Sequence, residues 1–230
     1  MNIVVSIGGS VLSPDDPTRI AKHADVLTSL AESGHQVAAV VGGGSPARTY
    51  IETARELGAN EMKLDEIGIA ATRLNARLLI AALGDKAVQT PPTSYEEASS
   101  GLQRGKIVVM GGVVPAQTTD AVGAALAEYI NADLLVYATS VDGVYTADPR
   151  ETEDAEYISK LSASELIDII VDIEMNAGAG APVDLLAAKI LQRSGLRAIV
   201  LDGTDPANIE RAVQSGEHTG TEITSGSTDV

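Results

Sequence analysis

Short β-branched apolar runs, several of them ending in glycine, alternate with longer stretches of helical periodicity, and this alternation restricts the fold more than any other feature of the chain. The strand-length runs are Ile3 to Ile7, Gln36 to Val41, Lys106 to Met110, Leu134 to Ala138 and Ala198 to Leu201. Strands separated by helices pair in parallel and bury both faces under those helices. The expected fold class is therefore α/β: a three-layer α/β/α sandwich around a mostly parallel sheet.

The intervening segments support this. Thr18 to Ser33 carries Ile20, Ala24, Leu27 and Leu30 on one face and is followed by Gly34, the residue type that closes a helix; Ser45 to Leu57 is followed by Gly58 in the same way. Met62 to Leu83 is longer, with Leu64, Ile67, Ala71, Leu74, Leu78 and Ala82 along one stripe, which predicts packing along an extended surface such as a second subunit. Further helices are predicted over Thr119 to Ile130, Ala163 to Ile173 and Pro182 to Ser194, with a hairpin-like loop over Ser140 to Tyr157. The Gly/Ala-rich stretch Met175 to Ala181 reads as a flexible loop and the polar tail, 225–230, as disordered. There is no repeat and no linker, so residues 1–224 are expected to form one domain, with an acceptor part mainly in 1–120 and a donor part mainly in 121–224.

Composition removes several classes of function. A net charge of −16, from 16 basic against 32 acidic residues, opposes binding to a nucleic-acid backbone. Six Tyr with neither Phe nor Trp leave no stacking platform for single strands. Without cysteine there is no disulfide framework and no thiolate chemistry. The N-terminus has no basic segment leading into a long apolar one, and the uninterrupted apolar runs fall short of the ~18 to 20 residues that span a bilayer. A soluble, cytoplasmic protein is expected. Its acidic surface repels itself unless salt screens it, which predicts a salt-rich setting.

Three glycine-rich turns follow predicted strands: Gly8-Gly9-Ser10, Gly42-Gly43-Gly44-Ser45 and Gly111-Gly112. One alone is an ordinary tight turn. Three at the carboxyl ends of parallel strands point backbone N–H groups at one place, where phosphate oxygens can approach closely because no Cβ intervenes. None matches the Gly-Lys-Ser/Thr phosphate loop or a full GxGxxG. Arg48 follows the second turn, within reach of a phosphate at the helix N-terminus; by position alone a solvated surface arginine fits equally.

The runs IGGSVL (7–12), VVGGGSPARTY (40–50), MGGVVPAQTTDA (110–121) and ATSVDGVYTADP (138–149) resemble the amino-acid-kinase family, and most closely its archaeal branch acting on UMP. The similarity extends from Asn2 to about Ile223. It implies the amino-acid-kinase fold, transfer of the ATP γ-phosphoryl group to UMP with Mg²⁺ carried by ATP, and a homohexamer assembled from dimers. Carried over by position, it implies that Gly9, Ser10, Gly44 and Arg48 surround the ATP phosphates and that Thr139, Ser140, Tyr145 and Asp148 surround the adenosine. It implies that Gly43, Asp65 and the run Val113, Val114, Pro115, Ala116, Gln117, Thr118 and Thr119 hold UMP, and that Arg48, Asp120 and Asp184 are catalytic; it assigns no residue to the magnesium.

Each position also has a plain structural reading. Asp65 suits a ribose diol or the dipole of its own helix; Thr118 and Thr119 suit a nucleotide or a helix N-cap; Asp148-Pro149 suits a turn. Asp120 and Asp184 are equally placed as N-terminal helix acids. In one respect the chain departs from the family: Ser6 stands where many members have a lysine. Lys189, five residues beyond Asp184, is a candidate replacement, although a solvated helix lysine is its simpler reading. His23, His35 and His218 lie outside the loops and read as surface residues. Alternative readings are another kinase of the family acting on a carboxylate, carbamate or isopentenyl phosphate, or a non-catalytic nucleotide-binding storage or scaffold protein.

Overall fold

The structure, a computed structural model, describes residues 1–147, 152, 154–175 and 183–224. Of the loop expected over Met175 to Ala181, Met175 instead ends a helix, while residues 176–181, the tail 225–230 and the candidate Asp148 lie outside the described residues.

The main sheet has seven strands in the order β3-β2-β1-β4-β8-β9-β7. They are β1 (Asn2–Ile7), β2 (Gln36–Val41), β3 (Val108–Met110), β4 (Leu134–Thr139), β7 (Lys160–Ser162), β8 (Ala198–Asp202) and β9 (Thr221–Thr224). Pairing is parallel except between β8 and β9. A separate antiparallel pair joins β5 (Val144–Tyr145) to β6 (Tyr157–Ile158), the hairpin expected in that loop. The sequence reading missed β5, β6, β7 and β9 as individual strands because they are two to four residues long, too short for periodicity to register. β3 begins at Val108 rather than Lys106.

Alternation along β1 sends Ile3, Val5 and Ile7 into one core and Val4 into the other. The first core is closed by α1 (Pro17–Glu32), α3 (Glu61–Leu83) and α8 (Ala207–Gln214). The second is closed by α4 (Tyr95–Gln103), α5 (Thr119–Tyr129), α6 (Ala163–Met175) and α7 (Leu185–Ser194). α2 (Gly44–Glu56) packs on α3. The expected three layers are therefore present. Several helix starts carry side-chain caps: Asp16 accepts from Arg19 N–H with Pro17 beside it, Thr118 caps α5, and Asp184 caps α7, whose start falls at Leu185 rather than Pro182.

Two expectations change. His23 is buried on α1, 1% exposed, with Nδ1 against the carbonyl of Arg19 and Nε2 without a partner among the described residues. It is a core residue, because α1 turns that face onto the sheet. The stripe predicted on α3 also splits. Leu64 and Ala71 are buried within the chain, whereas Leu74 and Leu78 are exposed, and the buried face runs through Thr72, Asn75, Ala76, Leu79, Ile80 and Leu83. By length and hydropathy Glu61–Lys86 qualifies as a bilayer span, yet α3 packs against α1, α2 and the strand β3.

Candidate active site

β1 leaves β2 and β3 on one side and β4 and β8 on the other, so the strand order reverses between β1 and β4. Open α/β sheets bind ligands outside the carboxyl end of such a reversal. The first glycine turn sits there, with Gly8 N–H donating to the carbonyl of Ala138 at 2.9 Å. It crosses the second glycine turn backbone to backbone. A Cβ on Gly9 would lie 2.0 Å from the amide nitrogen of Gly44, and Gly44 itself has φ of +62° with its missing Cβ directed 2.3 Å from the carbonyl oxygen of Gly9. Only glycine fits this crossing.

α3 holds the second and third turns. Asn75, 3% exposed, donates through Nδ2 to the carbonyls of Gly42 (2.9 Å) and Gly43 (3.1 Å). One helical turn earlier, Thr72 Oγ1 accepts from Gly112 N–H at 2.7 Å. Arg73 donates to the carbonyls of Gly112 (3.0 Å) and Val113 (3.3 Å). Between the tethered turns opens a cleft of about 470 Å³, whose lining includes Gly44, Arg48, Asp65, Gln117, Thr118 and Thr119. Arg48 is exposed to it and has no hydrogen-bond or ion-pair partner among the described residues.

Two carboxylates stand beside the cleft, at the start of α5 and α7. Position 6 of β1 points to the α5 layer by strand alternation, and Ser6 Oγ donates to Asp120 Oδ1 at 2.8 Å. Burial pushes the Asp120 carboxyl up to about 6; the Ser6 hydrogen bond opposes this and the Asp184 charge adds to it. Thr118 Oγ1 donates to Asp184, whose other oxygen caps α7 by accepting from Ala187 N–H at 3.0 Å. Beneath them Tyr137 is fully buried, and its phenol is held well above its ordinary range, first by burial and then by the two carboxylates. Among the described residues no group of three acidic or histidine side chains forms a metal cage. The two carboxylates offer hard oxygen donors suited to Mg²⁺ only if phosphates complete its shell.

The sequence pattern of the amino acid kinase family matches residues 1–202. The chain belongs to the amino acid kinase family. Within it, the chain is 62% identical to the uridylate kinase of Halobacterium salinarum over all 230 residues, which is 95% of that relative. It is 50% identical to the uridylate kinase of Methanocaldococcus jannaschii, over 94% of this chain and 98% of that one. The crystal structure of uridylate kinase from Archaeoglobus fulgidus superposes with a TM-score of 0.88 at 47% identity, covering 97% of this chain and all of that one.

For this amino acid kinase, the fold brings most acceptor-side candidates together. Gly43, Asp65 and the second half of the predicted run, Ala116 to Thr119, line the cleft, joined by Gly44 and Arg48, which the resemblance puts at the ATP phosphates. The first half does not: Val113 packs toward the core through its side chain and gives its carbonyl to Arg73, and Val114 is 46% exposed. Asp65 Oδ2 already accepts from Ala116 N–H at 2.8 Å. On the donor side, Gly9 joins the cleft's rim through Gly44 while Ser10 is exposed. Thr139 hydroxyl is engaged by its own turn, with Val141, and Ser140 is exposed. Tyr145 donates to Asp142 at 2.9 Å and meets the Tyr157 ring edge-on at 5.5 Å. Lys189 is exposed on α7. Thr72, Arg73 and Asn75 were missed; their only signal is polarity on the face of α3 that turns inward.

Proposed function

We propose that this protein is a UMP kinase that transfers the γ-phosphoryl group of Mg-ATP to the phosphate of UMP, giving UDP and ADP. The observation that carries this is the direct backbone crossing of Gly9 and Gly44: the cleft that suits an acceptor nucleotide, lined by the second glycine turn, abuts the first glycine turn, which suits a donor phosphate. The names of the relatives favour UMP as acceptor over a carboxylate, carbamate or isopentenyl phosphate.

The UMP phosphate is anionic near neutral pH, so no general base has to generate the nucleophile. One of its oxygens attacks the γ-phosphorus, the bond from that phosphorus to the β,γ-bridging oxygen breaks, and ADP leaves with the electron pair. Alignment and charge stabilisation carry such a step. Amides of Gly9, Ser10, Gly43 and Gly44 and the Arg48 guanidinium bind and orient phosphate oxygens. Asp65 and Gln117 to Thr119 hold the nucleoside. Asp120 and Asp184 order the phosphate region and face the magnesium that enters as part of the ATP substrate. Thr139, Ser140, Tyr145 and Asp148 flank the adenosine.

Incubation with Mg-ATP and a panel of nucleoside monophosphates tests the reading. UDP and ADP forming from UMP far beyond one equivalent is the expected outcome; ATP binding without UDP would favour a storage or scaffold role instead. The exposed Leu74 and Leu78 on α3 suit a dimer contact within a homohexamer, which light scattering in high salt can check. A cytoplasmic setting fits the substrates.

A further inference from the structure

The carbonyls of Gly42 and Gly43 in the second glycine turn face α3, and Asn75 is the side chain that holds them there, joined at Gly43 by Ala47 N–H of α2 at 3.3 Å. Asn75 Nδ2 has two hydrogens, and its two acceptors are consecutive carbonyls, those of Gly42 and Gly43. In a trans peptide the N–H points opposite to the C=O of the same unit. Holding the Gly42 carbonyl against α3 therefore turns the Gly43 N–H away from α3, and holding the Gly43 carbonyl does the same for the Gly44 N–H. Both glycines line the cleft, and neither amide has an acceptor among the described residues.

Glycine makes this orientation weakly self-determined. Gly43 and Gly44 have no side chain to restrict their peptide planes, and the N-cap of α2, Gly43, makes no side-chain cap. Without Asn75 the Gly42 carbonyl loses its partner and the Gly43 carbonyl keeps only Ala47 N–H, so the Gly42–Gly43 plane above all can flip and present a carbonyl oxygen to an anion, replacing attraction by repulsion. Asn75 is buried beside Thr72, which fixes the third turn, so the clamp is anchored on the rigid middle of α3.

We infer that Asn75 is a positioning residue that aims the Gly43 amide at the acceptor phosphate and steadies the Gly44 amide at the crossing with Gly9, where acceptor and donor phosphates meet. The inference rests on the UMP kinase reading and assigns Asn75 the phosphate part of acceptor recognition, leaving the nucleoside part to other residues. It separates from a general packing role because the two predict different ligand dependence. A packing role weakens every ligand of the cleft alike; an amide-aiming role weakens only ligands with the phosphate.

UMP and uridine binding are measured by calorimetry and competition on the wild-type protein, Asn75→Ala and Asn75→Ser, the last keeping a short donor should the alanine variant fold poorly. In Asn75→Ala, UMP affinity is expected to fall roughly ten- to hundredfold, the scale of lost charge-assisted hydrogen bonds. Uridine affinity should stay within about twofold by the same conversion, and Asn75→Ser should recover part of the loss. Parallel losses for UMP and uridine, or unchanged UMP affinity in both variants, would overturn the inference. Wild-type turnover of UMP by Mg-ATP is scored separately, so failure of the proposed activity is distinguishable from failure of the Asn75 role.

Discussion

Ser6 on β1 and Asp120 at the start of α5 are 114 residues apart in sequence and 2.8 Å apart in space, the serine hydroxyl donating to the carboxylate. Gly123 on the same helix leaves room for this contact, since a Cβ there would stand 3.3 Å from the Cβ of Ser6. A serine thus meets an acid at a place where the family resemblance leads one to look for a lysine, and Asp120 receives a hydrogen bond instead of a countercharge.

The first prediction follows from that contact. Asp120 titrates near 6 because burial outweighs the Ser6 hydrogen bond. If its ionised form orders the phosphate site, kcat/KM falls as pH drops through about 6. Ser6→Ala removes the contact that favours ionisation and should move this acid limb to higher pH; an unmoved limb would count against the role of Asp120. The stability effect has the opposite sense. A carboxyl raised above its ordinary 3.8 binds its proton more tightly folded than unfolded, so its contribution is most favourable below 3.8 and is lost as pH rises through about 6. Asp120→Asn should accordingly raise the unfolding midpoint more at pH 8 than at pH 5.

Arg48 lines the cleft without a partner, whereas Lys189 is exposed on α7. Arg48→Ala should lower turnover roughly 10²-fold, the scale of one lost phosphate-stabilising group. Lys189→Ala should leave turnover within about twofold, as substitution of a solvated lysine does. Steady-state kinetics on the two variants decides between them, and the reverse ranking would give the principal cation to Lys189.

His23 makes a separate claim about stability. Burial lowers its pKa below 6.5, more than the nearby carbonyls of Arg19 and Gly203 raise it; of the facing charges, Arg19 lowers it and Asp205 raises it. The unfolded chain then binds the proton more readily, so stability present above 6.5 is lost as pH falls through that value toward the folded pKa. Thermal unfolding of the wild type and His23→Leu from pH 8 to 5 should show the wild type losing ground on acidification relative to the variant. Parallel curves would exclude the effect.

The net charge of −16 predicts a higher unfolding midpoint in molar than in dilute KCl. Equal midpoints would mean that surface repulsion is unimportant to this fold.

Much of the architecture was legible because each main strand is an apolar run bounded by glycine or by a polar turn. Strand periodicity gave β1, β2, β4 and β8 to within a residue, and Gly34 and Gly58 marked the ends of α1 and α2, whereas α4 and α8 were not read as helices. Short strands such as β7 and β9 were not legible, since pairing with distant partners, not local pattern, defines them. The same limit applied to the site. The cleft residues beside glycine turns were recognisable by type, but Asn75 and Thr72 act through carbonyl and amide groups of loops about 30 to 40 positions away. His23 was misjudged for a related reason: a single histidine in an amphipathic helix does not declare which side of the stripe boundary it occupies.

Ala116 has φ of +62°, a left-handed conformation that L residues adopt reluctantly, and its amide is tied to Asp65. The lip of the cleft is therefore bent into shape by the protein itself, and a carboxylate has acceptor sites left over for an incoming hydroxyl. Asp65 links the cleft wall to the shape of the lip: a substitution there unfastens the loop at the same time as it removes a carboxylate from the cleft.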